Sequence, residues 1–551
     1  MRMGYIRTGS CSRLATGALI GYCGLALAQV TPGQVGDTLK SAPELKAPAR
    51  ISPIQNAQPT PGPAPDQAKK FTVKRFEIEG NTRYSAADLH ALISDYLNRP
   101  ISLFDLYAAA DRIAEQYVGA GYTLASVTVP PQKVDDGIVR LQVSEGRVGA
   151  VAAENNRLYD LGQLTPYLGE VKSGTVYRSA DLERGLRALN ELPGLKARAV
   201  VRPGEAYGTS DLILRTEEKP FEGALTVDNY GRDSIGEFRL SAFGQLNNPL
   251  GLEDQLQVMA LGSEDGLLAY GYGAYSLPIN PRGTRMAASY GYARFEVDNA
   301  PVEGRNQSAR LQLEHPLIRS ASDLLTVTGG ATYTKADSDF ATLFLNETVV
   351  TLLELGGTYS HIYANAAISQ VSVTLATNFD RLTRADITAA AVNQERLTGD
   401  QRLRVELDLQ HIQPLFLGLQ LLARANGVYS PDPLADTQQY SLGGPSSVRG
   451  FPASEVRGDR GYLGSLTLRQ PLMIGPARLY GRVFADSGAI MVVDAPVGVS
   501  DRETLTSAGV GLDAQWAYLD LKLDWSFPCD SHTVSDGEDD HRLFGSVSLR
   551  F

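Results

Sequence analysis

Few residues in this 551-residue chain have the type and spacing for bond-making chemistry. No HExxH, GxSxG, Walker A or GxGxxG pattern occurs, and the six His lie far apart except His532 and His541. Those two bracket the acidic run DGEDD, which could attract a divalent cation but reads first as a solvated loop. Arg457-Gly458-Asp459 spells an adhesion-type tripeptide. What the sequence does offer is ion pairing. From Arg478 to Gly488, alternation places Arg478, Arg482 and Asp486 on one face, opposite Leu479, Gly481, Val483 and Ala485. Asp486 then needs a cationic partner. No enzyme, metal or cofactor is expected.

The elements that must position these charges begin with a leader. Arg2, Arg7 and Arg13 precede an apolar run, Leu14 to Ala28, that ends Ala-Leu-Ala. This is the layout of a signal peptide (residues 1–28), and 15 apolar residues fall short of the ~20 a spanning helix needs. A lipid anchor on Cys23 is disfavoured by the bulky Tyr22. Cleavage would remove three Arg and no acid, moving the formal charge from −11 to −14. It would also remove Cys11 and Cys23, leaving Cys529 without an intrachain partner. So acidic a chain, with no basic stripe, is not a general nucleic-acid binder. With 43% hydrophobic, 21% charged and only 3 Cys, it is not collagen-like, disulfide-stapled or wholly disordered either.

Residues 29–70 carry eight Pro between Thr31 and Ala68 and almost no large apolar side chains, the composition of an extended linker. A short helix from about Val35, with Val35, Leu39 and Leu45 on one face, is a candidate plug. Two small α/β units follow, at 71–146 and 147–220. The first reads as a strand at Phe71–Glu79, a helix headed by Ser85, and a second helix with Leu103, Leu106, Ile113 and Val118 on its buried face. Strands at Thr123–Val129 and Gly137–Val143 complete it. The second unit repeats that order in reduced form, from Val148–Ala152 through Ser179–Leu192 to strands at Lys196–Arg202 and Asp211–Thr216. Matching order favours duplication over two unrelated domains.

From residue 221 to 551 the period becomes two. Leu403, Val405, Leu407 and Leu409 oppose Arg404, Glu406, Asp408 and Gln410, and Leu519, Leu521, Leu523, Trp525 and Phe527 oppose Asp520, Lys522, Asp524 and Ser526. A soluble sandwich could use one such strand, but segment after segment repeats it. Strands with one greasy and one polar face suit a closed transmembrane barrel with lipid outside and a wet lumen within. The 331 residues allow about sixteen antiparallel strands at roughly 21 residues per strand and connection. Tyr270, Tyr272, Tyr275, Tyr290 and Tyr292 are candidates for interfacial girdles. The charged face of Arg478–Gly488 must be the lumen, since a lipid-facing Arg costs ~2 to 4 kcal/mol at mid-depth.

Val448-Arg449-Gly450-Phe451, within SLGGPSSVRGFPASEVRGDRGYLGSLTLRQPL, and Phe484-Ala485-Asp486-Ser487-Gly488 carry a family resemblance. The chain resembles the TpsB transporters of two-partner secretion (the ShlB/FhaC/HecB type), within the superfamily of POTRA-plus-barrel proteins that includes BamA. That family has VRG(F/Y) at the tip of a sixth outer loop folded into the lumen and FxDxG on a barrel strand. The terminal Phe551 resembles the C-terminal aromatic of outer-membrane barrels, and the two α/β units resemble paired POTRA domains. The Arg-Gly-Asp tripeptide falls inside the matching loop stretch, which weighs against adhesion.

The resemblance implies a monomer in a Gram-negative outer membrane, among outer-membrane lipids and inserted by the barrel-assembly machinery, with its POTRA domains in the periplasm. It implies that Arg449 meets Asp486 and latches the loop, with Val448, Gly450 and Phe451 shaping the tip and Phe484 and Gly488 the wall. An ordinary lumen ion pair is the competing reading. The implied function is export of a large, unfolded β-helical partner of the TpsA type, captured by the POTRA units and driven by folding outside. The alternatives are a BamA- or TamA-like assembly factor and a passive porin. The client's identity and the capturing sheet edge are left open.

Overall fold

The computed structural model describes residues 31–38 and 70–551, apart from 135, 342, 379–382, 388–402, 475–476, 496–499, 531, 533 and 538–539. The expected signal peptide and residues 39–69 of the Pro-rich segment lie outside the described residues. Within that segment Pro32–Thr38 forms a helix, α1, inside the barrel rather than part of an extended linker.

The first α/β unit contains β1 (Phe71–Thr72), β2 (Arg75–Glu79), α2 (Ala86–Leu92), β3 (Pro100–Ile101), α3 (Leu103–Gly119), β4 (Ser126–Thr128) and β5 (Ile138–Ser144). Its sheet runs β2-β5-β4, with β2 parallel to β5. A capping box between Ser102 and Asp105 starts α3, which buries Leu106, Ala109, Ala110, Ile113 and Tyr117. Leu103 and Val118, expected on that face, are instead 45% and 46% exposed. Val118 lies about 100° round the helix from Tyr117, and Leu103 stands in the first turn, ahead of the buried stripe.

The second unit has β6 (Arg147–Glu154), α4 (Leu161–Leu164), α5 (Ser179–Leu189), β7 (Leu195–Pro203) and β8 (Thr209–Glu218). Its sheet runs β6-β8-β7, again with the last strand central and parallel to the first. One detail makes the repetition chemical. In Asn81-Thr82-Arg83-Tyr84-Ser85, the Asn81 side chain donates to Tyr84 O and Ser85 caps α2; in Asn156-Arg157-Leu158-Tyr159-Asp160, Asn156 donates to Tyr159 O and Asp160 caps α4. Each turn is clasped by a carboxylate at the end of its unit. Glu145 accepts from the backbone of Thr82 and Arg83 and the hydroxyls of Thr82 and Tyr117. Glu218 accepts from the backbone of Arg157, Leu158 and Tyr159 at 2.7, 2.6 and 3.2 Å.

Sixteen antiparallel strands then close a barrel: β9 (Phe221–Asp228), β10 (Arg239–Asn247), β11 (Gln255–Ser263), β12 (Leu268–Pro278), β13 (Arg285–Glu296), β14 (Val302–Arg319), β15 (Asp323–Phe340), β16 (Leu343–Ile362), β17 (Ile368–Asn378), β19 (Arg404–Pro414), β20 (Gln420–Tyr429), β23 (Arg460–Ile474), β24 (Ala477–Met491), β25 (Arg502–Trp516), β26 (Leu519–Pro528) and β27 (Arg542–Arg550). A short β18 (Arg384–Ile387) pairs with β16 beyond the end of β17, and β21 (Tyr440–Leu442) and β22 (Val456–Gly458) form a separate ribbon. Closure is made by β27 on β9, from Ser546↔Asp228 to Arg550↔Ala224, and extended by two backbone hydrogen bonds between Phe551 and Gly223. Phe551 stacks on Phe221 at 5.8 Å, and a side chain at Gly223 would collide with its ring.

Alternation sorts the wall as lipid demands. On β26, Trp525 and Phe527 are exposed while Asp524 and Ser526 are buried inside. Tyr290 and Tyr292 lie on the outer face, but Tyr270 and Tyr272 do not form part of a girdle. They pair in register with Ala293 and Gly291, share the lumen face with Leu268, and Tyr270 packs beside Val35 of α1. The second α/β unit is fixed to the rim: Asn248 donates to Leu158 O at 2.6 Å, Gln163 to Gly251 O at 2.8 Å, and Arg319 pairs bidentately with Glu191.

Burial opposes the charge of Glu145, but the four donors outweigh it and hold the carboxyl below its ordinary value. A depressed folded-state pKa stabilises above the unfolded value, about 4.5, and that stability drains away as pH falls through the folded value. Hydrogen exchange across residues 71–146 should therefore accelerate below this range. Glu145→Gln should cost about 1 to 3 kcal/mol at neutral pH and flatten the acid dependence.

Candidate functional site: the lumen loop and its anchors

Because β9 leaves the second α/β unit, the connection from β20 to β23 lies at the opposite end of the barrel. It does not stay outside. Leu442, Val448, Phe451 and Val456 turn inward and are buried with Leu463, Ile490, Leu505 and Val534. At the tip Gly450 has φ +102°, a conformation that L side chains rarely adopt.

All seven expected site residues meet here. Arg449 grips Asp486 bidentately, Nε to Oδ2 and Nη2 to Oδ1, both at 2.7 Å. Its backbone N–H adds a third hydrogen bond to Oδ2 at 3.2 Å, and Ser465 Oγ donates to Oδ1 at 2.7 Å. Asp486 is 1% exposed, whereas Val483 on the opposite face is 59% exposed. The guanidinium also lies 3.4 Å above the ring centroid of Phe484. Phe484 reaches this place because the facing residue is Gly509, where a Cβ would stand 2.5 Å from the ring. Gly488 serves similarly: a Cβ there would meet Tyr462 O at 2.6 Å and Leu442 at 2.9 Å. In FxDxG, then, Phe stacks on the guanidinium, Asp binds it, and Gly makes room for the loop's own ribbon.

Two further anchors escaped the sequence reading. Glu455, buried, accepts from Ser535 N at 2.8 Å and Ser535 Oγ at 2.6 Å, and lies near His532 and Arg232 at 3.3 and 3.7 Å. Arg232 in turn donates to Ala453 O at 2.6 Å and Ser454 O at 3.2 Å, tying the tip to the loops after β9 and β26. The Glu455 carboxylate raises the His532 imidazole above its ordinary value, against the effect of burial. The third anchor is Arg457, which pairs with Asp436, donates to Thr31 Oγ1 at 2.7 Å and lies 3.6 Å from Asp37 of α1. Arg457 and Asp459 of the adhesion-type tripeptide are thus turned inward; Asp459 accepts from Leu434 N and Val493 N. His532 and His541 do not meet: the first faces Glu455 and Glu503, the second the Trp525 ring.

Helix α1 takes up space beside the loop. Gly33 N donates to Asp436 Oδ2 at 2.7 Å, Gln34 to Ser454 O at 3.1 Å, and Asn306 of β14 to Pro32 O at 3.1 Å. Val35 is buried with Ile235, Leu261, Leu268 and Phe295. A cavity of about 710 Å³ remains, lined by charges of both signs including Asp37, Arg239, Arg404, Glu406 and Lys522.

The model of the haemolysin secretion/activation protein ShlB/FhaC/HecB matches residues 208–514, and that of the ShlB-type POTRA domain matches 71–146. The chain belongs to the ShlB/FhaC/HecB family. It is 26% identical over 440 residues to the outer membrane transporter CdiB of Escherichia coli strain 536, covering 77% of this chain and 72% of that protein. It is 26% identical over 514 residues to the hemolysin transporter protein ShlB of Serratia marcescens, covering 90% and 88%. The solved structure of CdiB from Escherichia coli superposes with a TM-score of 0.69 at 22% identity, over 98% of this chain and all of that one, which shows the shared fold. As a ShlB/FhaC/HecB member the chain is an outer-membrane transporter of two-partner secretion, a barrel preceded by POTRA-type domains, and works with a secreted TpsA-type partner.

The role of Gly488 is directly testable. Gly488→Ala should force the β21–β22 ribbon off β24 without altering the lipid face. Limited proteolysis of the folded barrel should then cut within residues 430–459 faster than in the parent, while heat-modifiable migration is retained.

Proposed function

We propose that this chain captures its secreted partner, unfolded and destined to become a β-helix, in the periplasm through the POTRA-type units, and passes it through the bore to the cell surface. Residues 1–28 act as leader, 29–70 as plug-bearing segment, 71–146 and 147–220 as POTRA domains and 221–551 as barrel, inserted by the barrel-assembly machinery. The observation that carries this reading is the occupied lumen. A passive pore has no use for a helix and a thirty-residue loop pinned inside it, whereas a conduit for a polypeptide must seal when idle. The Arg449–Asp486 contact is the latch of that seal.

Capture has a ready physical basis. Each three-stranded sheet ends in edge strands, β2 and β4 in the first unit and β6 and β7 in the second. An extended client can add to such an edge, main-chain hydrogen bonds giving affinity and flanking side chains giving selection. Once threaded, it meets walls carrying charges of both signs, which offer no continuous apolar surface for adhesion. Folding outside supplies direction, since the periplasm holds no ATP.

Arg449→Ala or Asp486→Ala should leave insertion intact, judged by heat-modifiable migration, yet cut partner release into the medium by about tenfold or more. That scale follows from the ~3 to 5 kcal/mol that stranding one member of a buried pair costs. The exchange Arg449→Asp with Asp486→Arg should recover part of the loss. Undiminished release from both single variants would remove the latch from the mechanism. Separately, Asp37→Asn combined with Arg457→Gln should loosen α1 and raise the conductance of single barrels in planar bilayers.

A further inference from the structure

The turn between β19 and β20, at the end of the barrel that carries the POTRA-type units, does not have the composition of a solvated loop. It reads Leu415-Phe416-Leu417-Gly418, and from Leu409 to Ala423 the chain carries no Asp, Glu, Lys or Arg. The turns after β10 and β12, at the same end, carry Glu253 and Arg282. Phe416 is 73% exposed and Leu417 87%. The turn is nonetheless well defined, since Leu415 N donates to Leu419 O at 2.7 Å and Leu419 N to Phe416 O at 3.0 Å. Leu417 is held in the left-handed conformation, φ +55° and ψ +26°, which is strained for a bulky side chain. Gly or Asn would adopt it freely, so the local backbone does not select Leu; such strain marks a place where the side chain serves a purpose.

Gln470 fixes the direction in which the turn leans. On β23 it shares a face with Leu466, Leu468 and Leu472, all exposed, and its Nε2 donates to Leu417 O at 3.1 Å. Arg469, on the opposite face of β23, bonds Gln420 instead. A Cβ at Gly418 would stand 3.1 Å from Pro471. The turn is thus folded outward over the lipid face of β20 and β23, not across the mouth of the bore.

Depth follows from strand length. β20 has ten residues from Gln420 to Tyr429, whose side chain is exposed at the far end. At ~3.3 Å per residue and a tilt of roughly 40°, that is about 25 Å, the height of the apolar band. Tyr429 and the turn therefore bracket the band, and the turn stands where acyl chains give way to headgroups. We propose that Leu415, Phe416 and Leu417 form a wedge buried in the periplasmic leaflet, its occupant being phospholipid rather than a protein. The lipid face supplies the continuity, because Leu466, Leu468, Gln470 and Leu472 lead down β23 to the turn without a charge. β20 and β23 are also the strands that carry the lumen loop, so a wedge at their base fixes their depth against a pull on that loop.

The only two Trp are Trp516 and Trp525, so the full chain with both changed to Phe and with Phe416→Trp reports on the turn alone. It is reconstituted in vesicles of phosphatidylethanolamine and phosphatidylglycerol, with or without bromine on the acyl chains near the headgroup end. Bromine should quench the fluorescence about twofold or more, and iodide present on both sides of the membrane should have little effect, as for a group ~5 to 10 Å into the headgroup and acyl boundary. Tyr207→Trp in the same background, on the exposed hairpin between β7 and β8, should show the reverse. Should the first variant fail to insert, Leu415→Trp reports from the same turn. Fluorescence at the turn that iodide quenches and bromine does not would leave these residues in the periplasm, and fluorescence that neither quenches would place them against protein. Either result overturns the wedge.

Discussion

A backbone amide left unpaired in hydrocarbon costs several kcal/mol, so a strand in the outer membrane must be paired on both sides and the sheet must close. Closure divides every strand into a lipid face and a lumen face, and the lumen face collects whatever charge the sequence carries. Arg482, Asp486, Asp513 and Asp524 have nowhere else to go. Once a carboxylate such as Asp486 is confined in a narrow bore, it must be satisfied, and Arg449 on a loop that bends inward satisfies both its oxygens. The inward loop, its ion pair and the helix are thus consequences of a wet interior that the membrane itself imposes.

Inside that interior the loop is held by three sets of charges drawn from different parts of the chain. Asp486 belongs to the wall, Glu455 joins the loop to its neighbours through Arg232 and Ser535, and Arg457 joins it to α1. Buried pairs are costly to desolvate and costlier still to break singly. Together they hold the loop in one position rather than adding bulk stability.

The barrel was legible in the sequence through a local rule, and the Arg449–Asp486 contact through the family resemblance that its two motifs carry. Alternation needs only a run of residues, and VRGF with FxDxG names the two ends of one contact. The strand parity that puts Tyr270 in the lumen was equally local, but grouping the Tyr by composition overlooked it. Arg232 and Glu455 left no local trace, since 223 positions separate them and nothing near either points to the other. The turn clasps were visible in outline, as NTRYS and NRLYD with a Glu closing each unit. Their meaning depended on a carboxylate some sixty residues downstream. Leu103 and Val118 went astray because apolar type outweighed angular position on the helix.

The placement of Arg457 has a thermodynamic corollary. One guanidinium serves the helix through Asp37 and the loop through Asp436, so withdrawing α1 strips the loop of part of its own support, and lifting the loop strips α1 of the same group. The two departures are linked, and linkage between equilibria is symmetrical: whatever favours one favours the other by an equal factor. Displacing either element already begins to displace its companion.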